Sequence, residues 1–173
     1  MRILVNAVLV FLATSVLMSA QTAPDAKIEA LLKRLFPGST RVSAKEGAPP
    51  HFKVFGTPAG AEREALIGFG FWTTELEPLE RGYDGPIKIL VGMDPRGVLA
   101  GVVVVEHREP YGDFSVDPPA FAAQFVGKSI RDPFKVGEDI DTVSRASITN
   151  LSATRAIRNS ARRMATRYLT PQP

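Results

Sequence analysis

Residues Ile87 to His107 read IKILVGMDPRGVLAGVVVVEH, two runs of branched apolar residues around a short loop. Few arrangements suit such a stretch. The spacing predicts a strand over Ile87 to Asp94, a turn at Pro95-Arg96-Gly97 and a second strand over Val98 to His107, paired as an antiparallel hairpin. The second run, GVVVVEH, is nearly all apolar, which predicts a place at the centre of a sheet. Helical patterns near both ends of the chain bracket the strands. The expected class is therefore α+β: an antiparallel sheet with a central hairpin, helices packed against it and a long C-terminal helix.

The remaining elements follow in order. DAKIEALLKRLF, from Asp25, has apolar residues at helical spacing and stops at Pro37-Gly38. Two short strands are expected between Ser39 and Gly60, with a turn at Gly47 to Pro50. Ala65 to Leu76 reads as a strand with Gly68 and Gly70 on one face, open to a ring, a backbone or a packed helix. Gly82 to Gly85 is a turn. Glu109 to Pro119 is a loop, Pro119 to Phe125 a short helix, and Lys135 to Asp141 an exposed loop or edge strand. The last helix starts near Thr149, with Ala153, Ile157, Ser160, Ala161, Met164 and Tyr168 as its buried stripe. Arg155, Arg158, Arg162, Arg163 and Arg167 fall largely off that stripe and read as a solvated face. Glu75, Glu77 and Glu80 read as surface carboxylates.

The 173 residues suffice for one domain with its own core. A net charge of +3 is too small to argue for nucleic acid. Ile3 to Met18 is almost wholly apolar, preceded by Arg2 and followed by Ser19-Ala20. Residues 1–20 thus read as a signal peptide or membrane anchor, with the first mature residue at or near Gln21. The body of the protein is then exported to the periplasm or beyond. There are no cysteines, which leaves no disulfides and no thiolates for an iron–sulfur cluster. The two histidines, His51 and His107, are too far apart to argue for a metal site. No nucleophile elbow, P-loop or dinucleotide fingerprint occurs, so no catalytic set is assigned.

Asp141 to Asn150 reads DTVSRASITN, an irregular segment turning into the last helix. A helix start exposes unpaired N–H groups, and with the helix dipole these suit a phosphate. The plainer alternative is that Ser144 or Ser147 caps the helix.

This segment resembles the D-x-x-S-G-A-T motif of the FMN-binding domain family, which includes flavin subunits of the sodium-pumping NADH:quinone reductase and Rnf complexes and the N-terminal domain of the nitrous oxide reductase regulator. Asp141, Ser144 and Ala146 match; Arg145 stands in place of Gly, and Ser147 in place of Thr. Arg145 is expected to exclude any backbone conformation that only Gly reaches cheaply. GYDGPIKILVGMDPRGVLAGVVVVEHREP resembles the family over a longer stretch, matching a G-Y-x-G turn, a D-x-x-G turn and an H-x-E ending at Gly82, Tyr83, Gly85, Asp94, Gly97, His107 and Glu109.

The resemblance implies an FMN-binding domain over residues 24–170, and FMN held covalently or noncovalently through its phosphate. In the family the Thr carries FMN through a phosphoester installed by a flavin transferase that uses FAD. Here that position is Ser147. Thr154 is a poorer acceptor, because Ile148 rather than Asp stands six residues before it. Ser144, Arg145, Ala146, Ile148 and Thr149 would surround the phosphate. Tyr83, Trp72 and His107 are candidates to lie by the isoalloxazine, and Glu109 to stand at its polar edge or at the loop hinge. The implied role is an exported electron-transfer flavoprotein component with a membrane-bound redox partner and no nucleic-acid partner. The alternative is a flavin-free exported binding or regulatory module of the same fold, motivated by Arg145 and Ser147.

Overall fold

The computed structural model describes residues 24–142 and 144–169. The expected signal or anchor segment, residues 1–20, lies outside them. Among the described residues, no helix is long and apolar enough to cross a membrane.

Five antiparallel strands form one sheet in sequence order: β1 (Ser39–Val42), β2 (Phe52–Gly56), β3 (Ala65–Trp72), β4 (Lys88–Met93) and β5 (Leu99–Glu106). One helix, α1 (Ala26–Leu35), covers one face. The other carries α2 (Thr73–Leu76), α3 (Gly112–Ser115), α4 (Pro119–Ala123) and the long α5 (Ser147–Tyr168). The α+β class stands.

Side chains alternate across the strands. Phe69 and Phe71 of β3, with Ile89, Val91 and Met93 of β4, pack toward Ala153, Ile157, Ala161 and Met164 of α5. Trp72 and Leu90 turn the other way, toward Leu32 of α1 and Phe36 just after it. The glycine face of β3 is explained by this second layer. A Cβ at Gly70 would overlap Leu32, and one at Gly68 would overlap the Phe36 ring. The glycines thus admit a helix, not a cofactor.

The structure corrects three expectations. The hairpin β4–β5 is antiparallel as expected, but it lies at one side of the sheet, and β3 is the middle strand. The apolar run of β5 reflects cover on both faces, by α1 on one and α4 on the other, and not a central place. The outer edge of its first residues is closed by the chain after α4: Gly127 N–H donates to Leu99 C=O (2.8 Å) and Leu99 N–H to Lys128 C=O (2.8 Å). The strand expected to reach Leu76 ends at Trp72, where α2 makes one helical turn. The last helix begins at Ser147 rather than near Thr149.

The arginines of α5 lie off its buried stripe, and several are paired. Arg155 meets Glu80 (2.7 Å) and Arg163 meets Glu77 (2.9 Å), tying α5 to the segment after α2. Glu75 pairs with Lys45 at 2.8 Å. The three carboxylates are therefore ion-pair partners as well as surface groups.

Candidate functional site

The hairpin's open end brings together two segments distant in sequence. Lys88 stands opposite Glu106, so the chain entering β4 and the chain leaving β5 run side by side. The GYDG turn and the H-x-E segment meet there. Glu109 is the joint. Its side chain is buried, with only 7% of the residue exposed. The carboxylate accepts from Tyr83 N–H (2.9 Å), from Asp84 N–H (3.0 Å) and from the hydroxyl of Thr149 in the first turn of α5. Three segments, the turn, the loop after β5 and the start of α5, are thereby held by one carboxylate.

Burial acts to raise the Glu109 pKa. The hydrogen bonds from Thr149, Tyr83 and Asp84 outweigh it, and the carboxyl is held below its ordinary value. A Cβ at Gly82 would lie 2.6 Å from the Glu109 carboxyl carbon, so only glycine admits the side chain there. His107 supports the same joint from behind. Its Nδ1 accepts from Glu109 N–H (3.1 Å), which leaves the ring proton on Nε2, facing Asp117 Oδ1 at 2.8 Å.

Among the described residues no side chain caps the start of α5, and its N-cap residue is Ala146. The reading in which Ser144 or Ser147 caps the helix is therefore overturned. Ser147 is the first helical residue, and the helix's own ladder begins with Asn150 N–H donating to Ala146 C=O at 3.0 Å. Arg145 has φ +74°, in the left-handed region. The expectation that Arg145 bars a conformation suited to glycine is overturned too: the arginine adopts it, at a cost of about 1–2 kcal/mol.

A cleft of about 430 Å³ opens at this helix start, lined by Tyr83, Pro110, Tyr111 and residues 145–149. Its size is that of a small-molecule site. Tyr83 (70% exposed) and Tyr111 (48% exposed) stand at its wall. Thr149 differs from the other hydroxyls. It is buried and its proton is committed to Glu109, so it donates to nothing in the cleft. Ser147 is exposed and its hydroxyl is available.

The structure thus brings Tyr83, Arg145, Ala146, Ser147, Ile148 and Thr149 together at one cleft, with Glu109 beneath it. Ser144 is exposed just before it and is not among its lining residues. His107 acts from behind Glu109 and does not line the cleft. Trp72 is on the other side of the sheet. It is 5% exposed in the α1 layer, with Lys88 Nζ 5.0 Å from the centre of its ring system. Its side of the strand excludes it from the cleft. Thr154 is buried inside α5, away from the unpaired helix start.

Sequence reasoning missed Tyr111 and Asp117. An aromatic residue two places after Glu109, in a Pro- and Gly-bearing loop, was the available signal for Tyr111. No local pattern marks Asp117, which reaches His107 only through the fold.

The residues present fit an FMN phosphate: uncapped N–H groups at the start of a 22-residue helix, an exposed hydroxyl and a cation at one cleft. Comparison with known proteins points the same way. The model of the FMN-binding domain family matches residues 82–162, from the GYDG turn into α5. A Pseudomonas aeruginosa protein, named as a subunit of the ion-translocating oxidoreductase complex, is 30% identical over 157 residues, spanning 83% of this chain and 73% of the relative. A Vibrio vulnificus protein of the same name is 32% identical over 89 residues, 46% of this chain and 42% of the relative. The regulatory protein NosR of Pseudomonas aeruginosa is 24% identical over 159 residues, 86% of this chain but only 21% of that protein. With the cleft, the Glu109 joint and the motif at α5 all inside the matched stretch, the chain belongs to the FMN-binding domain family, and FMN is the cofactor that membership implies.

Proposed function

We propose that this chain is an exported FMN-bearing electron-transfer module working with a membrane-bound redox partner, its flavin held through the phosphate at Ser147. One observation carries the reading: an uncapped helix start whose exposed first residue, Ser147, opens on a ligand-sized cleft. The naming of relatives as subunits of an ion-translocating oxidoreductase complex supports the redox partner. The apolar stretch Ile3 to Met18 supports export.

FMN supplies the electron-accepting and electron-donating chemistry when bound. The protein's own work is to bind and orient. The N–H groups of Ser147, Ile148 and Thr149 point along the helix axis toward negative charge. Glu109 fixes the distance between the GYDG turn and α5, and so the width of the cleft between Tyr83 and Ile148. Were a flavin transferase to supply FMN from FAD, with AMP and the hydroxyl proton released, Ser147 Oγ is the atom that would carry the phosphate.

Co-expression with a flavin transferase, followed by peptide mass mapping of wild type and Ser147→Ala, tests the reading. The expected result is an FMN adduct on the peptide containing Ser147, absent from Ser147→Ala. An adduct that survives in the variant would place the flavin on another residue. Wild type that carries no flavin, bound or released on denaturation, favours a flavin-free module.

A further inference from the structure

Two non-glycine residues among those described have a positive φ: Phe134 (+50°) and Arg145 (+74°). Phe134 has a compensation in the fold. Its ring is fully buried, near the Phe125 ring, and its N–H donates to Asp139 at 3.1 Å. Arg145 has none of this. Its side chain is exposed, and no carboxylate pairs with it among the described residues, whereas Arg41, Arg96, Arg155 and Arg163 each have one. It also lines the cleft at the start of α5. Backbone strain without a folding contact to offset it is the pattern found at functional positions.

The charges around the cleft give that cation a task. Glu109 lies beneath the first turn of α5 as a carboxylate, and its field opposes any anion placed at the helix start. Thr149 cannot offset this, because its proton is spent on Glu109. If Ser147 is esterified, its hydroxyl is lost as a donor as well. Among the described residues, Arg145 is then the one charged donor lining the cleft, and a guanidinium offers a bidentate match to phosphate oxygens.

We propose that Arg145 is the counter-ion of the flavin phosphate, so that this chain selects phosphorylated over unphosphorylated flavin by charge, before and independently of any covalent bond. The inference rests on the placement of FMN at Ser147 argued above. It makes the departure from glycine a gain in cofactor recognition at the expense of backbone comfort.

The test uses the full chain made without a flavin transferase, titrated with FMN and with riboflavin by flavin fluorescence, alongside Arg145→Gln, Arg145→Lys and Arg145→Gly. FMN affinity should fall about tenfold in Arg145→Gln, the scale of one lost charge-assisted contact, while riboflavin affinity stays unchanged. Arg145→Lys should fall between. FMN binding by wild type should weaken with added salt, and that sensitivity should shrink in Arg145→Gln. Arg145→Gly supplies the second readout: its melting temperature should rise as its FMN affinity falls, opposite movements that a purely structural role would not produce. Equal loss of FMN and riboflavin binding, or no loss of FMN binding in Arg145→Gln, overturns the inference. Wild type that takes FMN only as an adduct, with no measurable binding of free FMN, overturns it while leaving the flavin reading intact. Wild type that binds flavin in neither way overturns both.

Discussion

Replacing Glu109 by Gln tests whether one carboxylate assembles the site. The exchange keeps shape and removes charge. One oxygen of Glu109 accepts from Tyr83 N–H and Thr149, the other from Asp84 N–H at 3.0 Å. Gln can keep only the first set, and its NH2 group then faces the Asp84 N–H donor to donor. The two bonds that remain lose their charge assistance, roughly halving them, and one backbone N–H is left to find water at the surface. The expected cost is about 2 kcal/mol, or a melting temperature lower by about 4–8 °C for a domain of this size.

The pH dependence separates charge from shape. The folded pKa of Glu109 is depressed, so its contribution is present above the unfolded value, about 4.3. It is lost as pH falls through the folded value. The stability gap between wild type and Glu109→Gln should therefore be full near neutrality and close as the solution is acidified below that point. Thermal denaturation of both proteins across that range is the assay. A gap that does not change with pH would show that packing, not ionised hydrogen bonding, is at stake. No gap at all would refute the joint.

Two further substitutions probe the other layer. Gly70→Ala places a methyl group on fully buried Leu32 and should cost about 1–3 kcal/mol in chemical denaturation, without altering flavin binding to the folded protein. Trp72→Phe should cost about 1 kcal/mol and leave FMN affinity unchanged in fluorescence titration; an affinity loss would put Trp72 back beside the ring.

How much was legible follows from what each pattern reports. The hairpin was read within a residue or so at the strand ends, because a Gly-containing loop between branched runs is a local signal. Its lateral place was misread, because an apolar strand reports cover on its faces and says nothing of its neighbours. The start of α5 was placed two residues late: Ser147 and Ile148 are exposed and outside the buried stripe, so periodicity passes over them. Trp72 was grouped with the cofactor on its type alone. The strand's alternation, with Phe69 and Phe71 on one face and Gly68, Gly70 and Trp72 on the other, would have separated it once α5 was assigned to the phenylalanine face. The pairing of Glu109 with Tyr83, Asp84 and Thr149 spans up to 40 positions and has no local trace.

That long-range pairing ties the spacing between the GYDG turn and the H-x-E segment to the geometry of the site. The two strands of the hairpin act as a ruler. Lys88 opposite Glu106 sets where both chains leave the sheet, and two bulges, one between the pairs Gly92–Gly101 and Met93–Leu99 and one between Lys88–Glu106 and Ile89–Val104, each take up one extra residue in β5. Without the extra residue at the first of these, between Leu99 and Gly101, the positions beyond it would turn to the opposite face. Val102 and Val104, now on the face that α4 covers, would then face α1, and Glu109 would shift away from Tyr83 and Asp84. The sheet face, the cleft and the helix start thus share one register. The site is positioned by strand pairing and fastened by Glu109, and Thr149, anchored from below, ties the uncapped first turn of α5 to that joint.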